Sequence, residues 1–252
     1  MKHILLLGTG GTIACKHGDS GLTPLLTGDE LLSYVPAARS FCEVEAIQVL
    51  NIDSTNIHPK HWQLLCHVLE ENYDNYDGFV ICHGTDTMAY TAAAMSYLVQ
   101  HSKKPIVITG AQKPIDLDVT DARTNLLDSL RFASCERAHG VNIVFDGKVI
   151  AGTRGKKERT KSYNAFSSIN FPYLAVIQDE HILFYIDDKW QDRENVRFYH
   201  GLDDRVALLK LIPSMESSIL DYMGEHYDAV GFLELDSSCR NRDNSGIRFG
   251  QN

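Results

Sequence analysis

The sequence has few of the features that mark secreted, membrane-bound or nucleic-acid-binding proteins. Its six cysteines form no C-x-x-C pair, which argues against both a disulfide framework and a zinc site. Lys and Arg number 24 against 33 Asp and Glu, and the formal net charge of −9 gives no attraction to a phosphate backbone or an anionic membrane. The apolar run at residues 4–7 is too short for a signal peptide or a membrane span. We therefore expect a cytoplasmic protein that has neither nucleic acid nor membrane as a partner.

Short apolar runs and helical periodicity alternate through the first 175 residues, a pattern typical of parallel strands joined by helical crossovers. Residues 141–145 and 148–151 flank an Asp-Gly pair at 146–147, which predicts a hairpin. The fold class predicted is α/β, with a mostly parallel sheet flanked by helices and a β-hairpin. The predicted strands are 4–7, 44–52, 79–82 and 106–109, and the predicted helices are 61–73, 88–99 and one that begins near Asp121 and stops at Gly140.

Domain boundaries follow from a change in composition late in the chain. Residues 191–204 are polar and poorly periodic, which predicts a linker between an N-terminal domain at 1–190 and a C-terminal domain at 205–252. Within the second domain, 206–211 and 229–233 read as strands and 214–225 as a helix, whereas residues 236–252 have almost no apolar periodicity. Two strands and one helix bury too little surface to be stable alone, so we expect this α/β domain to be short or incomplete.

Three predicted strands end in clusters of small or hydroxyl-bearing residues. These are Gly-Gly-Thr at 10–12, Gly-Thr-Asp at 84–86 and Gly-Ala at 110–111. The carboxyl ends of parallel strands line one crevice, where such sheets bind ligands, so neighbouring strands would bring the clusters to a common site. The first cluster matches neither the dinucleotide fingerprint, because Ile13 stands where its third glycine should be, nor a Walker loop.

Each candidate residue also has a purely structural interpretation. The glycines at 10 and 11 suit a tight turn, and Thr85 or Asp86 before an apolar helix suits an N-cap. Lys157 lies in a basic stretch typical of a solvated surface, and His83 at a strand end is typical of a packed, hydrogen-bonded histidine. The pair at 54–55 reads equally well as a turn.

Taken together, these stretches are more specific than any one of them. Residues 9–14 (TGGTIA) and 83–88 (HGTDTM) resemble the two signature motifs of the L-asparaginase family, in that order and at that separation. Supporting blocks lie at 51–55, 108–112 and 152–157. The resemblance runs from about residue 1 to about residue 230 and is greatest to the bacterial cytoplasmic (type I) branch.

The resemblance implies a catalytic role for each matching position. Thr12 would be the nucleophile that attacks the side-chain amide carbon of L-asparagine. Thr85, Asp86 and Lys157 would form a second catalytic group. A threonine hydroxyl is a poor nucleophile at neutral pH, so this chemistry needs a base for its proton and donors for the oxyanion that forms.

Substrate binding is implied in the same way. Asp86 would also bind the α-ammonium group, Ser54 and Thr55 would hold the α-carboxylate, and Ala111 would offer a backbone contact at the amide end. The resemblance implies no metal and no organic cofactor, a small-molecule substrate, and a homo-oligomer, either dimer or tetramer.

The sequence departs from the family pattern in two places. Many relatives carry a tyrosine in the loop after the first motif, where this chain has Leu22, and residues 231–252 do not resemble the family's smaller domain. We therefore expect a truncated or divergent C-terminal domain with consequences for assembly and activity. Two alternatives stay open: a glutaminase component of a transfer-RNA amidotransferase, and an inactive homologue that only binds asparagine or aspartate.

Overall fold

The computed structural model of the protein describes residues 1–18, 21–24, 26–186 and 195–233, without the side chains of residues 16–25 and 233. It divides the chain into two compact units, of which the first is Met1–His200 and the second begins at Gly201. The predicted tail at 236–252 lies outside the described residues.

The elements of the first unit alternate between strands and helices along most of its length. Its strands are β1 (Lys2–Gly10), β2 (Cys15–Gly18), β3 (Gly21–Pro24), β4 (Cys42–Ile52), β5 (Gly78–Cys82), β6 (Val99–Gln100), β7 (Pro105–Thr109), β8 (Gly140–Phe145), β9 (Lys148–Ala151), β10 (Gly155–Lys157), β11 (Phe166–Ser168), β12 (Ala175–Gln178), β13 (His181–Phe184) and β14 (Arg197–Phe198). Its helices are α1 (Gly28–Ser33), α2 (Pro59–Asn72), α3 (Met88–Leu98) and α4 (Ala122–Ala133).

One eight-stranded sheet organises the first unit, in the order β13-β12-β9-β8-β7-β5-β1-β4. The five strands from β8 to β4 pair in parallel, and β9, β12 and β13 continue the sheet with antiparallel pairs. Helices α2, α3 and α4 are the crossovers between successive parallel strands. The predicted α/β class with a mostly parallel sheet is confirmed.

The central strands are almost entirely apolar over their buried residues because both of their faces are covered. Every residue of β5 and β7 is buried, as are residues 4–10 of β1. Edge strand β4 instead alternates from Cys42 to Ile47 between exposed positions and positions that are buried or half-buried, as expected of a strand with one covered face. The three strand ends singled out from the sequence therefore belong to the rigid centre of the sheet.

The predicted hairpin is present, but the end predicted for the helix that begins near Asp121, which is α4, is wrong. Asp146 and Gly147 have φ of 52° and 67°, the left-handed geometry that a two-residue hairpin turn requires. Helix α4 ends at Ala133, where the Ser134 amide donates to the Leu130 and Phe132 carbonyls. Gly140, predicted as the stop, begins β8 instead.

A short strand lies inside the segment predicted to be a linker. Strand β14 pairs antiparallel with β6, and the next residue, Tyr199, donates its amide to the Leu98 carbonyl at 2.8 Å. The ring of Phe198 packs edge-on against Tyr73, with centroids 5.4 Å apart. These contacts bridge about a hundred residues of sequence, so no local pattern could predict them.

The second unit is described as far as residue 233 and consists of β15 (Val206–Lys210), α5 (Ser218–His226) and β16 (Ala229–Leu233). Its two strands pair in parallel, and Arg205 forms an ion pair with Asp228 at 2.7 Å. The helix begins at Ser218, later than predicted. Across the described parts of both units, no helix has the length and apolar character needed to cross a membrane.

The buried centre of the sheet gives a stability prediction. Leu6 on β1 is fully buried, whereas Leu183 on edge strand β13 is 63% exposed. Leu6→Ala should lower the free energy of unfolding by about 2–5 kcal/mol, because it removes buried methyl groups and leaves a cavity. Leu183→Ala is the matched control and should change it by less than about 0.5 kcal/mol. Urea denaturation measures both, and equal effects would contradict the burial described.

Candidate active site

The three clusters meet because the strands that carry them are neighbours and end level with one another. Gly8 of β1 pairs with Cys82 of β5, which pairs in turn with Thr109 of β7. The hydroxyl of Thr9 donates to the Cys82 carbonyl at 2.8 Å, and the His83 amide donates to the Thr109 carbonyl at 2.8 Å. The loops after β1, β5 and β7 therefore leave the sheet side by side.

Two glycines allow the first two loops to touch. Gly11 has φ 79° and ψ 173°, a conformation that is essentially restricted to glycine, and a Cβ atom there would lie 2.4 Å from the Gly84 nitrogen. A Cβ atom on Gly84 would lie 2.5 Å from Ser54 Oγ. Any side chain at either position would separate the loops, so these glycines bring Thr12, Ser54 and Thr85 together.

The loops enclose a cavity of about 200 Å³, which is polar along much of its wall. Its lining residues are Gly11, Thr12, Cys15, Asp53, Ser54, Gly84, Thr85 and Asp86. Thr12, which follows Gly11 in a short 3₁₀ turn, and Thr85, in the loop after β5, thus line the same small space. A cavity of this size suits a small polar ligand.

Lys157 reaches this site from strand β10, outside the main sheet. Its Nζ donates to Thr85 Oγ1 at 2.8 Å and to Asp86 Oδ1 at 2.6 Å, and its own side chain is only 14% exposed. A second cavity, of about 620 Å³, is lined by Lys157 and Asp86 together with one face of α3. The ion pair therefore lies between the two spaces.

The turn that carries Ser54 supplies another part of the cavity wall. Ser54 is buried, and its carbonyl accepts the Thr87 hydroxyl at 2.7 Å. Asp53 caps the turn, since its Oδ1 accepts from both the backbone amide and the hydroxyl of Thr55, at 2.8 and 2.9 Å. Thr55 is exposed and does not line the cavity. Asp53 was not predicted as a site residue, although Asp before Ser-Thr is a recognisable capping pattern.

A cysteine also lines the cavity, but its surroundings make it a poor nucleophile. Burial, with the charges of Asp53 and Asp116, raises the pKa of the Cys15 thiol above its ordinary value, and a thiol reacts as its thiolate. The Cys15 Sγ donates to the Gly11 carbonyl at 3.3 Å. This contact helps to hold the Gly11 turn.

His83 takes part in a buried chain of hydrogen bonds behind the second loop. Because a carbonyl only accepts, Nδ1 donates to the Gly84 carbonyl at 2.7 Å, and Nε2 must accept from the Thr91 hydroxyl at 2.9 Å. Thr91 in turn accepts from Trp62 Nε1 at 2.9 Å. Burial lowers the pKa of His83 to about 4, against the opposing effect of its bond to Gly84. The histidine is thus neutral and structural, which agrees with the packed, hydrogen-bonded interpretation of its place in the sequence.

The loop after β7 is held by a carboxylate and an amide that were not predicted from the sequence. Asp121 accepts from the backbone amides of Gln112 and Lys113 at 2.9–3.1 Å, and the Asn125 side chain donates to the Gly110 carbonyl at 2.9 Å. Ala111, which lies between Gly110 and Gln112, is fully buried and does not line the cavity. Only the three-dimensional pairing reveals these contacts, since Asp121 and Asn125 read simply as polar positions of an amphipathic helix.

The structure thus brings most of the predicted site residues together and sets two apart. Thr12, Ser54, Thr85 and Asp86 line one cavity, and Lys157 joins them through hydrogen bonds. Thr55 and Ala111 lie beside it without lining it. The Leu22 side chain lies outside what the structure describes. Among the described residues, no group of His, Cys, Asp and Glu is arranged to hold a metal ion.

Comparison with known proteins identifies the family of this chain. The family model described as "Asparaginase, N-terminal" matches residues 3–190. The L-asparaginase of Thermococcus kodakarensis is 34% identical over 228 residues, which are 90% of this chain and 69% of that protein. The solved structure of the thermostable L-asparaginase from that organism superposes with a TM-score of 0.85 at 33% identity, covering 91% of this chain and 70% of that one.

A second kind of relative is a longer protein. One of the subunits of the glutamyl-tRNA(Gln) amidotransferase of Pyrococcus abyssi is 33% identical over 235 residues, which cover 88% of this chain and 53% of that protein. This chain thus spans about half the length of that relative. Fold, site and matches together define an α/β amidohydrolase. The chain belongs to the asparaginase family.

The buried histidine gives a pH prediction. The pKa of His83 is about 4 in the folded protein and about 6.5 in an unfolded chain. Below pH 6.5 the unfolded state therefore binds more protons, and stability falls as the pH drops towards 4. Between pH 7 and pH 5 this histidine should cost about 2 kcal/mol of unfolding free energy.

The matched measurement uses His83→Gln, which cannot titrate. Urea denaturation at pH 7 and pH 5 should show a smaller pH-dependent loss in the variant than in the wild type, by about 2 kcal/mol. Other groups, such as Asp128, whose pKa burial raises to about 6, contribute equally to both proteins and cancel. An identical pH dependence in the two proteins would mean that His83 is not buried in its neutral form.

Proposed function

We propose that the protein hydrolyses L-asparagine to L-aspartate and ammonia, with Thr12 as the nucleophile. The observation that carries this proposal is the shared cavity: Thr12 and Thr85 line one space of about 200 Å³, and Lys157 donates to Thr85 at 2.8 Å. Two hydroxyls, a lysine and a carboxylate around one small polar space suit nucleophilic attack on an amide.

The reaction needs two steps. In the first, Thr12 Oγ1 bonds to the amide carbon, the C–N bond breaks, and the threonine proton leaves with the nitrogen as ammonia. In the second, water attacks the resulting ester, the bond to Thr12 breaks, and a water proton returns to the threonine oxygen. Thr85, held by Lys157, orients the attacking water. It also stabilises the charge that develops on the reacting groups at this side of the cavity.

Recognition of the amino-acid end follows from the charges of the wall. The negative charge of the Asp86 carboxylate is complementary to an α-ammonium group. Lys157 Nζ donates to Asp86 Oδ1 at 2.6 Å, which holds the carboxylate in position. Ser54 offers a hydroxyl to the α-carboxylate, and the Asp53 cap holds the turn that carries Ser54 and Thr55 in place. The backbone contact that the resemblance implies for Ala111 stays a prediction, since Ala111 lies beside the cavity without lining it. The homo-oligomer and the cytoplasmic location implied by the resemblance stay predictions.

A glutaminase that supplies ammonia to a transfer-RNA amidotransferase is the second candidate. Similarity to the amidotransferase relatives favours it, since they match this chain about as closely as the asparaginase does. Ammonia release from the two free amino acids separates the candidates. Faster release from L-glutamine than from L-asparagine would favour the second candidate, and binding of L-aspartate without any release would favour an inactive binding protein.

The nucleophile is tested by removing only its hydroxyl group. Thr12→Val keeps the shape of the side chain and should lower kcat on L-asparagine by about 10³-fold or more, because the covalent step is lost. Thr12→Ser keeps a hydroxyl and should keep measurable turnover. Ammonia release is the assay, and calorimetric binding of L-aspartate confirms that Thr12→Val still forms the cavity. Equal rates in wild type and Thr12→Val would refute the assignment.

Two adjacent lysines offer a matched test of the second catalytic group. Lys157→Met removes the donor to Thr85 and Asp86 and should lower kcat by about 10²–10⁴-fold, the range typical of proton-transfer groups. Lys156→Met changes an exposed neighbour on the same strand and should leave kcat within about twofold. Comparable losses in the two variants would show that charge in this stretch matters rather than the contact made by Lys157.

A further inference from the structure

Gln112, directly after Ala111 in the loop that follows β7, is held at both ends. Its backbone amide donates to both carboxylate oxygens of Asp121, at 2.9 and 3.1 Å. Its side-chain Nε2 donates to the carbonyls of Ser162 and Arg159, at 3.1 and 3.3 Å. Its Oε1 accepts from the Thr85 hydroxyl at 3.4 Å.

The hydrogen-bond partners fix which way the side-chain amide faces. Backbone carbonyls only accept, so the NH₂ group of Gln112 must face Ser162 and Arg159, and the oxygen is left to face Thr85. A hydroxyl has one proton to donate, and at Thr85 the acceptor for that proton is Gln112. Lys157 Nζ donates to Thr85 Oγ1 as well. This hydrogen bond uses one of the two lone pairs of Thr85 Oγ1 and leaves the other for a reacting group.

We infer that Gln112 is a positioning residue of the active site, which orients the Thr85 hydroxyl as an acceptor and ties it to the loop that follows Lys157. This inference rests on the proposed function in so far as Thr85 takes part in the reaction. Gln112 does not line the cavity, so it acts through Thr85 and not on the substrate.

The same residue joins three supports that are far apart in sequence. Its main chain is anchored to the start of α4 by Asp121. Its side-chain nitrogen donates to the carbonyls of Arg159 and Ser162, and its side-chain oxygen accepts from Thr85 in the loop after β5. Displacement of a catalytic group by about 1 Å can cost on the order of 100-fold in rate. Loss of the Gln112 amide should therefore slow the reaction without weakening substrate binding.

The test compares Gln112→Met with Gln100→Met. Both replace an amide by an apolar chain of similar length, and the Gln100 side chain donates only locally, to the Tyr97 carbonyl at 3.1 Å. In Gln112→Met we expect kcat for L-asparagine to fall on the order of 10–100-fold, with KM within about threefold and an unchanged melting temperature. Gln100→Met should match the wild type.

Hydrogen exchange measured by mass spectrometry supplies a readout that needs no turnover. The backbone amides of residues 158–163 should exchange faster in Gln112→Met than in the wild type, and Gln100→Met should leave them unchanged. An active Gln112→Met with wild-type kcat, or a rise in KM with no change in kcat, would overturn the inference. If the wild type hydrolyses neither asparagine nor glutamine, the proposed function fails separately, and unchanged exchange at 158–163 would then overturn the inference by itself.

Discussion

The candidate site depends on the contact between the backbones at Gly11 and Gly84. A side chain at position 11 would place its Cβ 2.4 Å from the Gly84 nitrogen, so these loops can touch only through glycine. Their contact brings two threonines, each following a different strand, to the same cavity. The adjacent pairing of β1 with β5 and the level ends of the strands make that contact geometrically available.

Two carboxylates line the cavity, and they have different partners. Asp53 accepts hydrogen bonds within its own turn, from Thr55, whereas Asp86 forms an ion pair with Lys157. Thr12 and Ser54 add uncharged hydroxyls to the wall. Burial lowers the pKa of His83, so that this histidine is neutral. It holds the loop after β5 through its hydrogen bonds to Gly84 and Thr91 and adds no charge to the site. Such an arrangement suits a zwitterionic substrate whose amide must meet a neutral nucleophile while its ammonium group meets a carboxylate.

The central sheet and most of the residues that line the cavity could be predicted from the sequence because local patterns mark both. Buried apolar runs mark β1, β5 and β7, and the two motifs at the ends of β1 and β5 include most of the lining residues. The missed features are long-range: β14 is a two-residue strand fixed by its partners, and Gln112, Asp121 and Asn125 matter through bonds to loops that the sequence does not place beside them. The end of α4 was predicted wrongly at Gly140 because a glycine with positive φ can begin a strand as well as end a helix.

Lys157 lies on β10, which among the described strands pairs with β11 alone and is not part of the eight-stranded sheet. The two sides of the pocket therefore differ in their support. The threonines follow buried strands of the eight-stranded sheet, whereas the Lys157 amine is carried by the two-stranded ribbon of β10 and β11. Heating or mild denaturant should loosen the ribbon first, so that the Lys157 amine separates from Thr85 and Asp86 while the loops that carry the threonines are still in place.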